Sequence, residues 1–506
     1  MKIQKLIQTN LFIFFCTFYS IINAQTVNTV GPKPFGPTPT NAQLNWHQLE
    51  VYGLIHFTPT TYQNKEWGFG DASPSIFNPP NFNPDQLMRA ALSSGMKGII
   101  LVAKHHDGFC LWPTETTTYN IQQSPWRNGT GDMVKAYENS ARSHKLQFGI
   151  YVSAWDRNHP DYGKPAYADD YRKQLKELYT GYGPLFISWH DGANGGDGHY
   201  NGQPGERKID RSTYYEWHEK TWKLTRELQP DAVIFSDIGP DVRWVGNEKG
   251  MAAPTSWSTF TPVGPNGQTA APGFVDETYL GSGQRDGKFW IPAECDVPLR
   301  PGWFYHPEQD ELVKTPEQLF DLYLQSVGRG AALNIGLAPT PNGDLHPNDI
   351  KALEGFGEKI KRTFTTNIAQ DATIKASNVR HHSPHFSASQ LLNDDSPGYW
   401  ATDDLINEAT ITVVLPEERT FNLIQLQEYI RLGQRIEGVE VFHLLKGHWT
   451  KLAAIESVGA KRIIRLDQPI KTKEIQFRIK APVAITLSSI GLYSEDGLKT
   501  LDRSFH

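Results

Sequence analysis

The stretch Phe186-Ile187-Ser188-Trp189-His190-Asp191-Gly192 says more about the fold than any other part of the chain. Its apolar first half predicts a short buried strand, and a carboxylate follows where that strand ends. Gly192-Ala193-Asn194-Gly195-Gly196 comes next, which is more typical of an open loop than of a helix start. Asp191 is therefore either a local turn former or part of a functional site.

Apolar runs of this kind alternate with amphipathic helical patterns over about residues 45–365. The runs are 52–57, 98–103, 148–153, 184–189, 232–235, 288–292 and 331–337. Strands that alternate with helices indicate parallel βαβ units. Because polar and aromatic residues follow nearly every run, we predict a TIM-type α/β barrel, whose active site forms at the strand ends. An eighth strand is not evident and residues 239–287 lack a clear helix, so the barrel is expected to be irregular. A doubly wound sheet is the alternative.

After about residue 365 the pattern changes to short alternating runs separated by turn-rich pieces such as 393–398. This pattern is typical of an antiparallel β-sandwich. We therefore predict a catalytic barrel at 25–365 and a sandwich at 366–506. The order of elements resembles the discoidin-like sandwiches appended to glycosidases, where such a domain binds sugar or braces the barrel.

Composition places the chain among soluble globular proteins, with 506 residues, 21% charged and 39% hydrophobic residues, and a net charge of -6. This charge gives no basic footprint for nucleic acid.

Residues 1–24 read as a signal peptide, with Lys2 and Lys5 before a short apolar stretch and a cut before Gln25. Export to the periplasm or the medium is expected, and no membrane span. Cys16 follows Ile13-Phe14-Phe15, a poor lipoprotein pattern.

Two cysteines remain after such a cut, Cys110 and Cys295. One disulfide and two unpaired buried thiols are both compatible with this number, which excludes a disulfide scaffold.

The predicted strand ends bring histidines, aromatic residues and carboxylates to one rim of the barrel. A sugar site needs this chemistry: directional hydrogen bonds, a ring face for stacking, and two carboxylates. His105 and His106 are adjacent, and adjacent residues on a strand point to opposite faces, so they are not expected to share a metal ion. No zinc, phosphate-loop or serine-hydrolase motif is present, and no metal or organic cofactor is expected.

Together these segments resemble glycoside hydrolase family 29, the retaining α-L-fucosidases. The matching segments are 53–57, Glu66-Trp67-Gly68, 104–109, Trp189-His190-Asp191-Gly192, 243–248 and Arg300-Pro301-Gly302-Trp303. The resemblance implies that Asp191 is the nucleophile. It implies that fucose is held by His56, Glu66, Trp67, His105, His106, Tyr151 and Trp189. It also suggests that Arg243 holds the charges of the pocket and that Trp303 packs on the fucose methyl group, whereas His190 receives no role.

Two glutamates are candidates for the acid/base of the catalytic pair. Glu248 resembles the acid/base of the family branch that cleaves α-1,3/1,4-linked fucose from branched, Lewis-type glycans. Glu294 is the alternative, because it lies near a predicted strand end. The expected partners are fucosylated oligosaccharides. Two other functions stay open: a secreted glycan-binding protein without catalysis, and a retaining glycosidase for a related sugar such as galactose.

Overall fold

The computed structural model describes residues 29–392 and 398–495. The predicted signal peptide lies outside the described residues, and so does most of the predicted turn at 393–398. None of the helices within the described ranges is long and apolar enough to cross a membrane. Cys110 and Cys295 are both buried and unpaired, so the second of the two expected cysteine states is observed.

The N-terminal domain is a closed barrel of eight parallel strands. Labelled β1 to β8 in chain order, they are Val51–Ile55, Gly98–Lys104, Gln147–Val152, Ile187–Trp189, Val233–Ser236, Val242–Trp244, Ala293–Pro298 and Ala332–Leu337. Each strand pairs with its neighbour in the chain, and β8 pairs with β1 to close the ring. The TIM-type prediction is confirmed, and closure excludes the doubly wound sheet.

The prediction for the sixth strand was wrong. Within 288–292, only Phe289–Trp290 is extended, and it pairs antiparallel with Thr259–Phe260 outside the barrel. The strand that the sequence did not reveal is β6, which has three residues and is too short to show a period. The following strand, β7, begins at Ala293, which places Glu294 inside that strand as its second residue.

Helices cover the outside of the barrel and start at recognisable caps. Labelled α1 to α8, they are Asn41–His47, Pro59–Tyr62, Pro84–Ser93, Met133–Ser143, Pro165–Gly181, Trp222–Leu228, Pro316–Gln325 and Pro347–Phe364. The side chains of Asn83 and Asp132 accept backbone N–H groups at the starts of α3 and α4, and Thr315 forms a capping box with Gln318 at α7. The amphipathic pattern at 212–228 is helical only from Trp217, where a π-helical turn, Trp217–Thr221, directly precedes α6.

Both faces of the barrel strands are buried, which explains why they read as continuous apolar runs. In β1, Tyr52 and Leu54 point into the barrel, where they pack with inward residues of other strands. Val51 and Ile55 point outward and join the core between barrel and helices. Alternate residues of every strand therefore belong to the barrel interior, just below the rim where the site forms.

The C-terminal domain is an antiparallel sandwich, as predicted. Its strands, β9 to β16, are Thr373–Ala376, Trp400–Ala401, Glu408–Gln427, Gly438–Leu445, His448–Ile455, Arg462–Lys480, Thr486–Leu487 and Ser489–Tyr493. Six of them form one sheet, and β10 pairs with β15 in a second. Two of the short alternating runs, 409–415 and 422–427, belong to one long strand, β11, whose register shifts between Val414 and Arg419.

The sandwich holds the long loop between β6 and β7. The Gln434 side chain accepts a hydrogen bond from the Ser258 N–H at 2.8 Å and donates to the Ser256 carbonyl at 3.2 Å. The Ser457 hydroxyl accepts the Ser256 N–H at 3.2 Å. These bonds fix the loop backbone, so the sandwich braces this part of the barrel.

At Gly357, α8 packs closely against the end of α3, so a substitution there should disturb this contact. A Cβ atom at this position would lie 1.7 Å from the backbone carbonyl oxygen of Ser93, which cannot rotate away. We expect Gly357→Ala to lower the free energy of unfolding by about 1–3 kcal/mol, the usual cost of overpacking. Gly181→Ala is the matched control, because a Cβ on that helical glycine meets nothing within 4 Å. Thermal unfolding of both variants checks this, and equal melting temperatures would contradict it.

Candidate active site

A cavity of about 370 Å³ opens at the carboxyl ends of the barrel strands. It collects side chains from β1 to β7 and from the loops that follow them. Nine of the residues named from the sequence line it: His56, Trp67, His105, His106, Tyr151, Trp189, Asp191, Glu248 and Trp303. The strand-end segments and the family resemblance therefore identified nine of the twenty residues that form the wall.

Asp191 lies two residues beyond β4 and is held by two donors. The Tyr151 hydroxyl donates to its Oδ2 at 2.8 Å, and the Ala193 N–H donates to its Oδ1 at 2.7 Å. Burial raises the pKa of the Asp191 carboxyl, and the two hydrogen bonds oppose that rise by stabilising the ionised form. His106 Nε2 lies 3.7 Å from Oδ2. Asp191 is thus an oriented carboxylate with one face toward the cavity.

Gly192 allows another carboxylate to approach. A Cβ on Gly192 would lie 2.7 Å from Oδ2 of Asp237 and 2.9 Å from the Gly273 nitrogen, so no larger residue fits without displacement. Asp237 accepts the Gly273 N–H at 2.8 Å and follows β5 directly. Burial, with a smaller contribution from the Asp191 charge, raises the pKa of Asp237 to about 7.

The three histidines of the cavity are neutral. Burial lowers the pKa of His56 and of His106 to about 3, and lowers that of His105 well below its usual value. His106 Nδ1 lies 2.6 Å from the Ser153 hydroxyl, whereas Nδ1 of both His56 and His105 has no partner within the described residues. Neutral imidazoles that line a cavity are suited to bind hydroxyl groups.

His105 and His106 correct one expectation. Their ring centroids are 4.1 Å apart and both side chains line the cavity, although adjacent strand residues would point apart. The reason is that β2 ends at Lys104, so both histidines lie in the turn beyond it. Within residues 29–392 and 398–495, no group of three His, Cys, Asp or Glu side chains is placed to hold a metal ion.

Aromatic rings form the apolar walls. Trp189 stacks on Phe235 at 4.2 Å between centroids and on Tyr151 at 4.9 Å. Trp67 is half exposed and makes edge contacts with His106, while the Trp303 ring lies 5.2 Å from that of His56. The cavity therefore combines ring faces for C–H surfaces with polar groups for hydroxyls.

Glu248 lies in the loop after β6 and is exposed, although it lines the cavity. Partial burial raises the pKa of its carboxyl, and the charges of Asp191 and Glu66 raise it further. A side-chain hydrogen bond with Trp303 opposes the rise. Glu248 is therefore a carboxyl that holds its proton more tightly than an ordinary glutamate.

Glu66 does not line the cavity but positions one of its walls. Its carboxylate accepts the backbone N–H of Trp303, and at 3.4 Å that of Phe304. His306 Nε2 lies 3.0 Å from the same carboxylate. The sequence missed this role, because nothing in it links residue 66 to the loop after β7.

Arg243 and Glu294 occupy places other than those expected. Arg243 is buried on β6 and binds the backbone carbonyls of Leu280, Ile291 and Trp257, so it fixes the β6–β7 loop and does not reach the cavity. Glu294 is fully buried inside the barrel below the cavity floor, because β7 starts at Ala293, after the predicted run 288–292, and therefore contains Glu294 instead of ending before it. His190 also faces away, toward Tyr171 and Ser188.

Several cavity residues received no role from the sequence. Asp237 and Asp296 both come shortly after predicted runs, 232–235 and 288–292, and the strand-end signal would have found Asp237. Asp296 carries a second signal, since a carboxylate at every other position of an apolar strand marks one face. The remaining members come from loops or apolar strand positions without a motif: Leu54, Gly192, Ala193, Arg211, Phe235, Trp244, Gly273, Val275 and Glu277.

A parallel barrel that collects carboxylates, neutral histidines and aromatic faces in one rim cavity is the arrangement of a glycoside hydrolase. Comparison with known families agrees. The α-L-fucosidase family model matches residues 35–363, and the F5/8 type C domain model matches residues 373–495. The chain belongs to the α-L-fucosidase family, glycoside hydrolase family 29, and is an α-L-fucosidase.

Relatives of the chain cover both domains. α-L-Fucosidase 1 of Arabidopsis thaliana is 37% identical over 500 residues, 96% of this chain and 94% of that protein. A family 29 structure from an unknown rumen bacterium has a TM-score of 0.80 at 36% identity and covers 93% of this chain and 80% of that one. A Ruminococcus gnavus family 29 fucosidase in complex with fucose has a TM-score of 0.83 at 28% identity, with 93% and 97% covered.

The bonds from Glu66 to the Trp303 backbone predict the effect of their removal. We expect Glu66→Ala to raise KM for a fucoside about 10-fold with a smaller change in kcat, because the released loop no longer holds the Trp303 ring against the cavity. Steady-state kinetics measures both constants. Glu308→Ala is the control, since Glu308 is exposed near His306 but binds no loop backbone. An unchanged KM in Glu66→Ala would contradict the positioning role.

Proposed function

We propose that this α-L-fucosidase is a retaining exo-enzyme in which Asp191 is the nucleophile and Glu248 the acid/base. The observation that carries the proposal is that one cavity holds two carboxyl groups in different states. Asp191 is oriented by two donors, whereas Glu248 stands more exposed with a raised pKa. A retaining glycosidase requires such a pair, roughly 5–5.5 Å apart.

In the first step Asp191 attacks the anomeric carbon as the glycosidic bond breaks. The Tyr151 O–H and the Ala193 N–H favour the ionised carboxylate that this attack needs. Glu248 donates its proton to the leaving oxygen. The aglycone departs as an alcohol, and a covalent fucosyl–Asp191 ester remains.

In the second step Glu248 reverses its role. As a carboxylate it takes a proton from water while the water oxygen attacks the anomeric carbon, and the Asp191 carboxylate leaves. The Asp191 charge helps to raise the pKa of Glu248 in the free enzyme. Ester formation removes that charge, so the pKa of Glu248 falls when a base is needed. Fucose leaves with its configuration retained.

The substrate we propose is α-1,3/1,4-linked terminal fucose on branched, Lewis-type glycans. The segment Trp244-Val245-Gly246-Asn247-Glu248, which resembles that branch of the family, supports this choice. Arg211 and Glu277 also support it, because these partly or fully exposed polar side chains at the mouth offer hydrogen bonds to sugars beyond fucose.

We also propose that the protein is exported to the periplasm or the medium. The support is the sequence of residues 1–24, with two lysines before an apolar stretch and a small residue at the expected cut. Export would bring the enzyme to glycans outside the cytoplasm.

Loss of the Glu248 carboxyl should remove acid catalysis. We expect Glu248→Ala to lower kcat/KM on a natural fucoside by about 10²- to 10⁴-fold. On fucosyl fluoride, whose leaving group needs no proton, the loss should be smaller and azide should restore turnover as fucosyl azide. The alkaline limb of the pH profile, which follows deprotonation of the acid, should disappear.

Glu294→Ala is the comparison for the same experiment. Glu294 lies below the cavity, so azide should give no fucosyl azide with that variant. Azide rescue at Glu294→Ala, combined with none at Glu248→Ala, would reverse the assignment of the acid/base.

The linkage proposal predicts a preference for branched substrates. We expect free fucose from Lewis-type trisaccharides at rates well above those from a simple aryl fucoside or from the matched disaccharide without the branch. Initial rates on this panel, with fucose detected enzymatically, measure the preference. The matched galactosides are the control. Equal rates on branched and unbranched fucosides would contradict the linkage proposal, and faster galactoside cleavage would change the sugar.

A further inference from the structure

The floor of the cavity rests on a buried polar cluster inside the barrel. Glu294 accepts hydrogen bonds from the Tyr52 hydroxyl, from Trp189 Nε1 at 2.8 Å and from Asn334 Nδ2 at 3.0 Å. These three donors come from β1, β4 and β8. Burial raises the pKa of Glu294, and these three donors oppose that rise by stabilising the ionised form.

Asp296 is the next residue on the same face of β7. Its side chain is 3% exposed, yet it lines the catalytic cavity. Its Oδ1 is buried and has no hydrogen-bond donor within the described residues, whereas Oδ2 is not enclosed in this way and is the carboxyl oxygen that the cavity reaches. An acceptor in so enclosed a position gains more from a donor that binds than an exposed acceptor does.

Asp296 and Glu294 interact directly, and their states differ. Burial raises the pKa of Asp296 well above its ordinary value, and the charge of Glu294 and a hydrogen bond to it raise it further. Asn334 opposes this shift, and the more distant Glu248 adds to it. Asp296 is therefore protonated and donates an O–H from its buried oxygen, Oδ1, to Glu294, which leaves Oδ2 as a neutral carbonyl acceptor.

We propose that Asp296 is a substrate-binding residue whose Oδ2 accepts a hydrogen bond from one hydroxyl of the bound fucose ring. The inference rests on the proposed function, since it places fucose in the cavity that holds Asp191. It assigns to the sugar site an acceptor that the strand-end argument passed over. Glu294 then acts as a positioning residue, because it fixes the proton and the rotamer of Asp296 without reaching the cavity.

If Asp296 is neutral, two substitutions at this position should have different effects on fucose binding. Asp296→Asn keeps the shape, a carbonyl oxygen for the cavity and an N–H donor for Glu294, so it should bind fucose within about 3-fold of the wild type. Asp296→Ala removes the acceptor, and we expect its dissociation constant for fucose to rise about 10- to 100-fold, the range for one buried hydrogen bond.

The direct test measures binding of L-fucose and of its 2-, 3- and 4-deoxy analogues by calorimetry. The wild type should lose affinity for each analogue. In Asp296→Ala, one deoxy sugar should bind as well as fucose, because the hydroxyl that it lacks no longer has its acceptor. The other two analogues should keep their penalties and serve as internal controls. A merely structural role would weaken all four sugars alike and leave the discrimination between them unchanged.

Melting temperatures establish that each variant is folded. If Asp296→Ala does not fold, Asp296→Val replaces it, because an apolar β-branched side chain suits this strand position. Unchanged discrimination against all three deoxy sugars in the folded variant would overturn the inference. Failure of the proposed catalytic function can be distinguished from failure of the proposed role of Asp296. Fucose binding with the predicted loss of discrimination, but without hydrolysis by the wild type, would contradict catalysis and leave the role of Asp296 intact. A wild type that does not bind fucose would overturn both.

Discussion

Closure of the parallel barrel is the constraint on which the site depends. Because β8 pairs with β1, all eight strands end at one rim, and the residues that follow them face one cavity. Asp191, His56 and the histidine pair come from strands far apart in sequence, and closure brings them together. The pleat of the strands is a second constraint. It turns alternate residues of β7 inward, so Asp296 lies above Glu294 on the same face.

The carboxyl groups in and above the barrel interior have different surroundings and therefore different tendencies to hold a proton. Glu294 is surrounded by three donors, burial and the charge of Glu294 raise the pKa of Asp296 beside it, Asp191 is held by two donors, and the pKa of Glu248 at the mouth is raised. A buried charge without such partners costs several kcal/mol, so the cluster under the cavity has to be satisfied before the site can form. Neutral histidines complete the cavity without adding positive charge.

The sequence predicted the parts that follow from strand ends and periodicity. It located six of the eight barrel strands as apolar runs, and residues after them, such as Asp191 and His105, line the cavity, whereas Glu248 was identified only through the family resemblance. It missed β6, because three residues show no period, and the error at the next strand concealed the places of Glu294 and Asp296. Arg243 and Glu66 bind loop backbones, and no local pattern records which backbone a side chain meets across the fold.

The central claim is that Asp191 carries the sugar between the two steps. The most direct measurement uses 2-deoxy-2-fluoro-fucosyl fluoride, whose fluorine slows both steps while the fluoride leaving group keeps the first fast enough for the ester to accumulate. Peptide mass spectrometry of the inactivated enzyme should place one fluorofucosyl adduct on Asp191. An adduct on Glu248, Asp237 or Asp296, or turnover with inverted configuration and no adduct, would contradict the account.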